Sequence, residues 1–265
     1  MYATKPICAV LLAWVVVFGL NRPVHAISNG ELVSESDPVV PVTVSVYSAN
    51  DDCTGVKIAS SLILTARHCE LDQTTKVIFS NNHSYSLARY FIPRTVVKGN
   101  ENDFDAAIIE IDGVVPGPVA KLVDKSTPIK ETSAVWIAGY GGNRITSSSN
   151  PLRKLKVKIS DWDYSSFAVS VRTRDGGGVC DGDSGGPGYR IVNNQVVVWG
   201  IDSASVSGNS QCASQELYSK LNSKRDWIGK IIAAFGLKHT VGQDHQYVAI
   251  AATLVAPVHG TRRRA

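Results

Sequence analysis

Cys180-Asp181-Gly182-Asp183-Ser184-Gly185-Gly186-Pro187 is the most specific stretch of the chain. A serine hydroxyl is a weak nucleophile, so a catalytic serine needs a neighbouring base to take its proton. It also needs backbone N–H groups aimed at the oxygen that becomes negative in a tetrahedral intermediate. Glycines on both sides of Ser184 let the backbone turn tightly enough to present such groups. Alone, the stretch equally fits a glycine-rich turn between strands; companions elsewhere in the chain separate the two meanings.

Two companions exist. Leu64-Thr65-Ala66-Arg67-His68-Cys69 puts a histidine just after an apolar strand. Asp103-Phe104-Asp105-Ala106-Ala107-Ile108-Ile109 puts an aspartate at the mouth of another. With all three segments in the order His, Asp, Ser, the chain resembles the chymotrypsin–trypsin family of serine peptidases. The resemblance covers about residues 27–237 and includes Trp199-Gly200 and Leu217-Tyr218-Ser219-Lys220-Leu221. It implies an all-β fold of two six-stranded antiparallel β-barrels with a C-terminal helix, the barrels meeting near residues 125–135.

The resemblance also implies roles. His68, Asp105 and Ser184 are the expected triad, with the amides of Gly182 and Ser184 as the oxyanion hole. Asp103 is expected to be a solvated loop charge. Cys53–Cys69 and Cys180–Cys212 are the expected disulfides. Ile27-Ser28-Asn29-Gly30 resembles the family's mature start, so a freed Ile27 amine would pair with Asp183. The specificity pocket would have Gly178 as its floor, followed by Val179, with Gly200 and Glu216 as walls and Asp181 at the rim. Trypsin-like members carry Asp at the floor. A carboxylate on Glu216 would supply that charge from the side and give trypsin-like or mixed preference. A Glu216 facing solvent would leave an empty floor suited to large apolar residues. Two departures stand out: Arg67 replaces a small residue, and Val198 replaces a serine whose hydroxyl would support Asp105.

Patterning fits this picture. Short Val- and Ile-rich runs, bounded by Gly, Asn, Asp, Ser and Pro, occupy residues 39–47, 61–65, 76–80, 106–111, 134–138, 155–159, 168–172 and 196–201. The helix candidate is Ser223 to Phe235, where Trp227, Ile228, Ile231, Ile232 and Phe235 recur at helical spacing and Gly236 follows as a stop. Gly182-Asp183-Ser184-Gly185-Gly186 also satisfies the nucleophile elbow of α/β-hydrolases. That fold wants the acid and then the histidine after the serine, on a parallel sheet with intervening helices. Here the only later histidines lie in the tail. A non-catalytic homologue acting as a binding module is the other alternative, and such a chain would typically lack a triad member.

Composition excludes a polyanion-binding stripe. The chain has 265 residues and a net charge of +4, but the excess sits at the ends. Without Lys5, Arg22, Lys238, Arg262, Arg263 and Arg264, and without Asp244, 21 basic and 22 acidic residues remain. Nucleic acid is therefore not an expected partner; polypeptide substrates are, with protein protease inhibitors as further candidates. Lys5, the apolar run Ala9 to Leu20 and Val24-His25-Ala26 have the form of a signal peptide over residues 1–26. The mature chain would then keep Cys53, Cys69, Cys180 and Cys212, for which the count alone allows three pairings. A secreted protein, extracellular or periplasmic, follows as the expectation. No cofactor is called for, and no His or acidic cluster has metal-ligand spacing. Residues 238–265 are expected to be a flexible or loosely docked C-terminal extension, with a processed sorting or membrane-associated segment as the alternative; the apolar part is short for a span, so no stable membrane insertion is expected.

Overall fold

The computed structural model describes residues 26–93, 105–124, 129, 134–141, 151–163, 168–172, 177–206, 212–222 and 224–240. The signal-like segment before Ala26, Asp103, residues 147–150 and the tail beyond Thr240 lie outside them.

Strand β1 (Glu31–Leu32) precedes a 3-10 turn, Val40–Val42, and β2 (Thr43–Tyr47). The sequence suggested one strand from Val39; Pro38 and Pro41 lack the N–H a strand ladder needs, so pairing starts at Thr43. There follow β3 (Asp52–Ala59), β4 (Leu62–Thr65), β5 (Lys76–Ile78), β6 (Ser84–Phe91) and β7 (Ala107–Ile111). These six, β2 to β7, close into a barrel in the order β2-β3-β4-β7-β6-β5. Val44, Val46, Ile63, Val77 and Ile109 fill one side of its core.

A short β8 (Lys121–Leu122) leads to β9 (Ala134–Gly139), β10 (Arg153–Asp161), β11 (Ala168–Arg172) and β12 (Val179–Cys180). Then come β13 (Pro187–Val192), β14 (Gln195–Ser205), β15 (Cys212–Ala213) and β16 (Gln215–Lys220). The path β10-β11-β16-β14-β13-β9 returns to β10 through β9–β10 pairing, which closes a second six-stranded ring. Val157 and Ile159 of β10 alternate with exposed lysines, the period of a half-buried strand. Asn193 and Asn194 take φ of 50° and 58°, joining β13 and β14 through a two-residue turn.

Helix α1 (Arg225–Thr240) packs on a core cluster that draws residues from both barrels. Ile228, Ile231 and Phe235 are buried, and Phe235 meets Phe91 of the first barrel edge-on at 5.6 Å. The helix passes through Gly236, where the sequence suggested a stop: glycine weakens a helix interior by about 1 kcal/mol but ends it only in a left-handed cap. Among the described residues no helix is long and apolar enough to cross a membrane.

Candidate active site

The loop between β12 and β13 carries Ser184. Gly182 and Gly185 adopt φ of 86° and 80°, a region that disfavours side chains. A Cβ on Gly185 would also overlap Thr65 Oγ1 and the Thr54 backbone. The first barrel holds this loop from the other side. Thr54 N–H donates to the Ser184 carbonyl at 2.9 Å, and Thr54 Oγ1 donates to the Gly182 carbonyl at 3.0 Å. Cys69 Sγ lies 3.9 Å from the Ser184 carbonyl oxygen. Among the described residues, the N–H groups of Gly182 and Ser184 donate to no protein acceptor. They are available to a developing negative oxygen.

Strands β4 and β7 are neighbours, with Thr65 opposite Ala107, so the residues just beyond their paired ends, His68 and Asp105, meet. His68 Nδ1 is 2.7 Å from Asp105 Oδ2. The buried carboxylate accepts three more bonds, from Arg67 N–H at 2.7 Å, His68 N–H at 3.1 Å and Ser203 Oγ–H at 2.7 Å. Burial alone would raise the Asp105 pKa, but the His68 ring, Ser203 and the amide hold it below its ordinary 3.8. Burial also works against a charged His68, yet Asp105, helped by Asp51, lifts its pKa above 6.5. The Ser184 hydroxyl makes no hydrogen bond to the imidazole in this structure; such contacts in free enzymes often tighten only around substrate.

Ser203 corrects the sequence analysis. The hydroxyl thought lost with Val198 is present five residues later, and Val198 is a buried core side chain. Trp199-Gly200 imitates the expected dipeptide but precedes the position that faces the site. Gly200 lies opposite Lys220 and Gly188, whereas Ser205 lies opposite Glu216, so Gly200 is not the wall facing Glu216. A bulge at Asp202/Ala204 shifts this register, and that was not visible in the sequence. The Arg67 backbone serves Asp105, while its guanidinium Nη1 is buried without a partner.

Asp183 is fully enclosed. Its Oδ2 accepts from Ile27 N–H and Cys180 N–H, both at 2.9 Å, and its Oδ1 from Gly141 N–H at 2.8 Å. Burial pushes its pKa up to about 7 despite these donors. Ile27 reaches it with φ of 37°, an outlier for a β-branched residue.

Gly178 exchanges two backbone bonds with Ser28, at 2.8 and 3.0 Å. A Cβ there would overlap the Ala213 carbonyl, so no floor side chain fits. Val179 is buried against Tyr218 in the second-barrel core. Glu216 is only 3% exposed, which removes the solvent-facing alternative. Its Oε1 accepts from Ser205 Oγ at 2.8 Å, and burial pushes its pKa to about 7. Asp181 is exposed. Cys53–Cys69 and Cys180–Cys212 are both disulfides. Asp51, Cys53 and Cys69 cluster near His68, but both sulfurs are in the disulfide, so they offer no thiolate to a metal.

A family model described as trypsin matches residues 30–228. Trypsin 5G1 of Aedes aegypti is 29% identical over 77% of this chain and 86% of its own length. Snake venom serine proteinase 14 of Crotalus adamanteus is 29% identical over 68% of this chain and 78% of its own. Among solved structures, human heparin binding protein superimposes with a TM-score of 0.63 at 17% identity, over 77% of this chain and 95% of that one. An inactivated protease paralogue from the scabies mite gives 0.62 at 23% identity, over 77% and 98%.

Proposed function

The chain belongs to the trypsin family of serine endopeptidases, and we propose that it cleaves peptides with His68, Asp105 and Ser184 through an acyl-enzyme. The fold alone does not carry this reading, because the heparin binding protein and the inactivated paralogue share it. The observation that carries it is the 2.7 Å His68–Asp105 bond beside a serine whose loop leaves two amides unused.

Ser184 Oγ attacks the scissile carbonyl as His68 Nε2 takes its proton. Asp105 keeps the other ring proton on Nδ1, so Nε2 is the basic nitrogen, and it stabilises the imidazolium that forms. The Gly182 and Ser184 amides receive the oxyanion. His68 then protonates the leaving amine, and water repeats the sequence to free Ser184. Fluorophosphonate labelling tests the assignment: wild type labels at Ser184, while Ser184→Ala labels nowhere and loses ~10⁴-fold or more in kcat. Near-normal turnover by that variant would sink the mechanism.

Activation follows from the same strain. While Ala26 is attached, Ile27 is held at φ 37° and offers Asp183 a neutral N–H. Cleavage after Ala26 abolishes that torsion and converts the N–H into an ammonium beside a buried carboxylate, so each charge compensates the other. We take signal peptidase as the agent, with export as the setting; the two disulfides fit an oxidising compartment. Mass analysis of exported protein decides this, since a start other than Ile27 contradicts it.

The substrate preference we favour is basic, with Glu216 supplying from the side the charge that Gly178 has no room to carry. Its burial opposite Ser205 supports this. Polypeptides are the substrates, and protein inhibitors that present a basic residue would compete for the same cleft.

A further inference from the structure

Strand β14 buries a second acid that the mechanism above does not use. Asp202 is 3% exposed, between the core residue Ile201 and the half-buried Ser203, which is bonded to Asp105. Its backbone is clamped behind the nucleophile: Asp202 N–H donates to the Gly186 carbonyl and Gly185 N–H to the Asp202 carbonyl, both at 2.9 Å. Asp202 lies directly opposite Tyr218 in the β14–β16 ladder. Residues directly opposite share a face of the sheet. Glu216, two residues before Tyr218, shares that face as well.

The Asp202 carboxylate is underused. Oδ1 is buried and has no hydrogen-bond partner among the described residues, and the Ser203 N–H supports the group. Its charged neighbours are all acidic: Glu216, Asp183 and Asp105. Of these, Asp105 and Asp183 already have their donors. No described lysine or arginine pairs with Asp202 or Glu216. An unpaired buried carboxyl is costly, and an apolar side chain at this strand position would avoid the cost. A cation arriving from outside would balance it.

We propose that Asp202 is a second specificity-determining carboxylate of the Glu216 pocket, and that the pair receives the guanidinium of an arginine before the scissile bond. This rests on the serine-peptidase reading and adds the substrate class to it. A planar guanidinium has five N–H donors in a fork and reaches two carboxylates at once. A lysine ammonium is a compact point charge and satisfies one well. Arginine is therefore preferred over lysine, and both over leucine.

The test uses peptides that differ only in Arg, Lys or Leu before the scissile bond, with wild type, Asp202→Asn and Asp202→Val each titrated for active sites. Wild type should rank Arg above Lys above Leu. Both variants should lose about tenfold or more in the Arg/Leu ratio of kcat/KM, mainly through KM, with a fall in the Arg/Lys ratio. Asp202→Val should also melt at a higher temperature, because it removes an uncompensated buried charge; a purely structural acid would not give this pairing of gain and loss. Equal losses on all three peptides, or an unchanged Arg/Lys ratio, overturn the proposal. If no peptide is cleaved and Ser184 does not label, the catalytic reading fails. p-Aminobenzamidine binding to Ser184→Ala then still decides the pocket: weakening by Asp202→Asn upholds it, and no binding before that substitution sinks it.

Discussion

Two groups of buried acids lie close together in the fold, Asp202 being the neighbour of the Ser203 that bonds Asp105, and the chain treats them in opposite ways. Asp105, on the first-barrel side, receives four hydrogen bonds and is held below its ordinary pKa. Asp202 and Glu216, on the second-barrel side, share few donors and are pushed up, Glu216 to about 7. Burial is the first cause in both places; at Asp105 the His68 ring, through its hydrogen bond and its charge, tips the balance down, and no cation does so for Asp202 and Glu216 among the causes that act on them. An acid that must stay charged to orient an imidazole is saturated by its own chain. An acid that is to meet a cation from outside is left with bonds unmade. On the functional reading proposed above, the difference separates a positioning carboxylate from a receiving one.

Removing the charge from the saturated acid should give the largest effect. Asp105→Asn offers His68 Nδ1 an amide and lets the ring settle in the wrong tautomer, so kcat should fall by about 10⁴-fold near neutrality. In wild type the rising limb of kcat/KM against pH should have its midpoint above 6.5, the direction in which Asp105 and Asp51 shift His68. In Asp105→Asn that midpoint should move down. A variant with normal kcat and an unmoved limb would put the two acid groups on the same footing.

Thermal stability should separate the groups by sign. Glu216 holds its proton to about pH 7 in the folded chain, against 4.5 as a free group. Between those values the folded state binds more protons than the unfolded one, so this contribution is full at low pH and is lost as pH rises through 7. Asp105 acts the other way, adding stability above 3.8 that is lost as pH falls through its lowered folded value. Calorimetry should therefore find the Glu216→Gln variant less weakened than wild type between pH 5 and pH 8, by roughly 5 °C in Tm. Parallel pH profiles for the two proteins would show that Glu216 is not a strained acid.

How legible these groups are in the sequence follows the same division. His68, Asp105 and Ser184 sit beside strand ends with distinctive neighbours, and the strands around them show as apolar runs. The helix shows through the spacing of Ile228, Ile231 and Phe235. What failed to show depended on register. Ser203 and Asp202 are ordinary residues until a bulge aims one at Asp105 and leaves the other on the Glu216 face. Gly200 lies opposite Lys220 and Ser205 opposite Glu216, a register that composition cannot reveal because of the bulge. Strand β13 is hard to read in the sequence because Pro187 and Gly188 open it, and its far end, Ile191 and Val192, is exposed beside the Asn193-Asn194 turn.

The smallest expected effects come from the two serines that serve the two groups. Ser203 Oγ donates to Asp105 and Ser205 Oγ donates to Glu216, at 2.7 and 2.8 Å. Chemically the bonds are alike: a hydroxyl donating to a carboxylate, typically worth about 1.5–3 kcal/mol when charged. Their consequences should differ. Ser203→Ala takes one of four donors from an acid that acts through His68, so kcat should fall by about tenfold or less on every peptide and the pH midpoint of His68 should drop slightly. Ser205→Ala takes the side-chain donor from an acid that acts on substrate. It should raise KM several-fold for arginine peptides, with a smaller change for leucine peptides, and move Glu216 further up. Steady-state kinetics on matched Arg and Leu peptides reads both at once. If Ser203→Ala raised KM selectively for arginine, or Ser205→Ala lowered kcat uniformly, the assignment of one acid to orientation and the other to recognition would have to be exchanged.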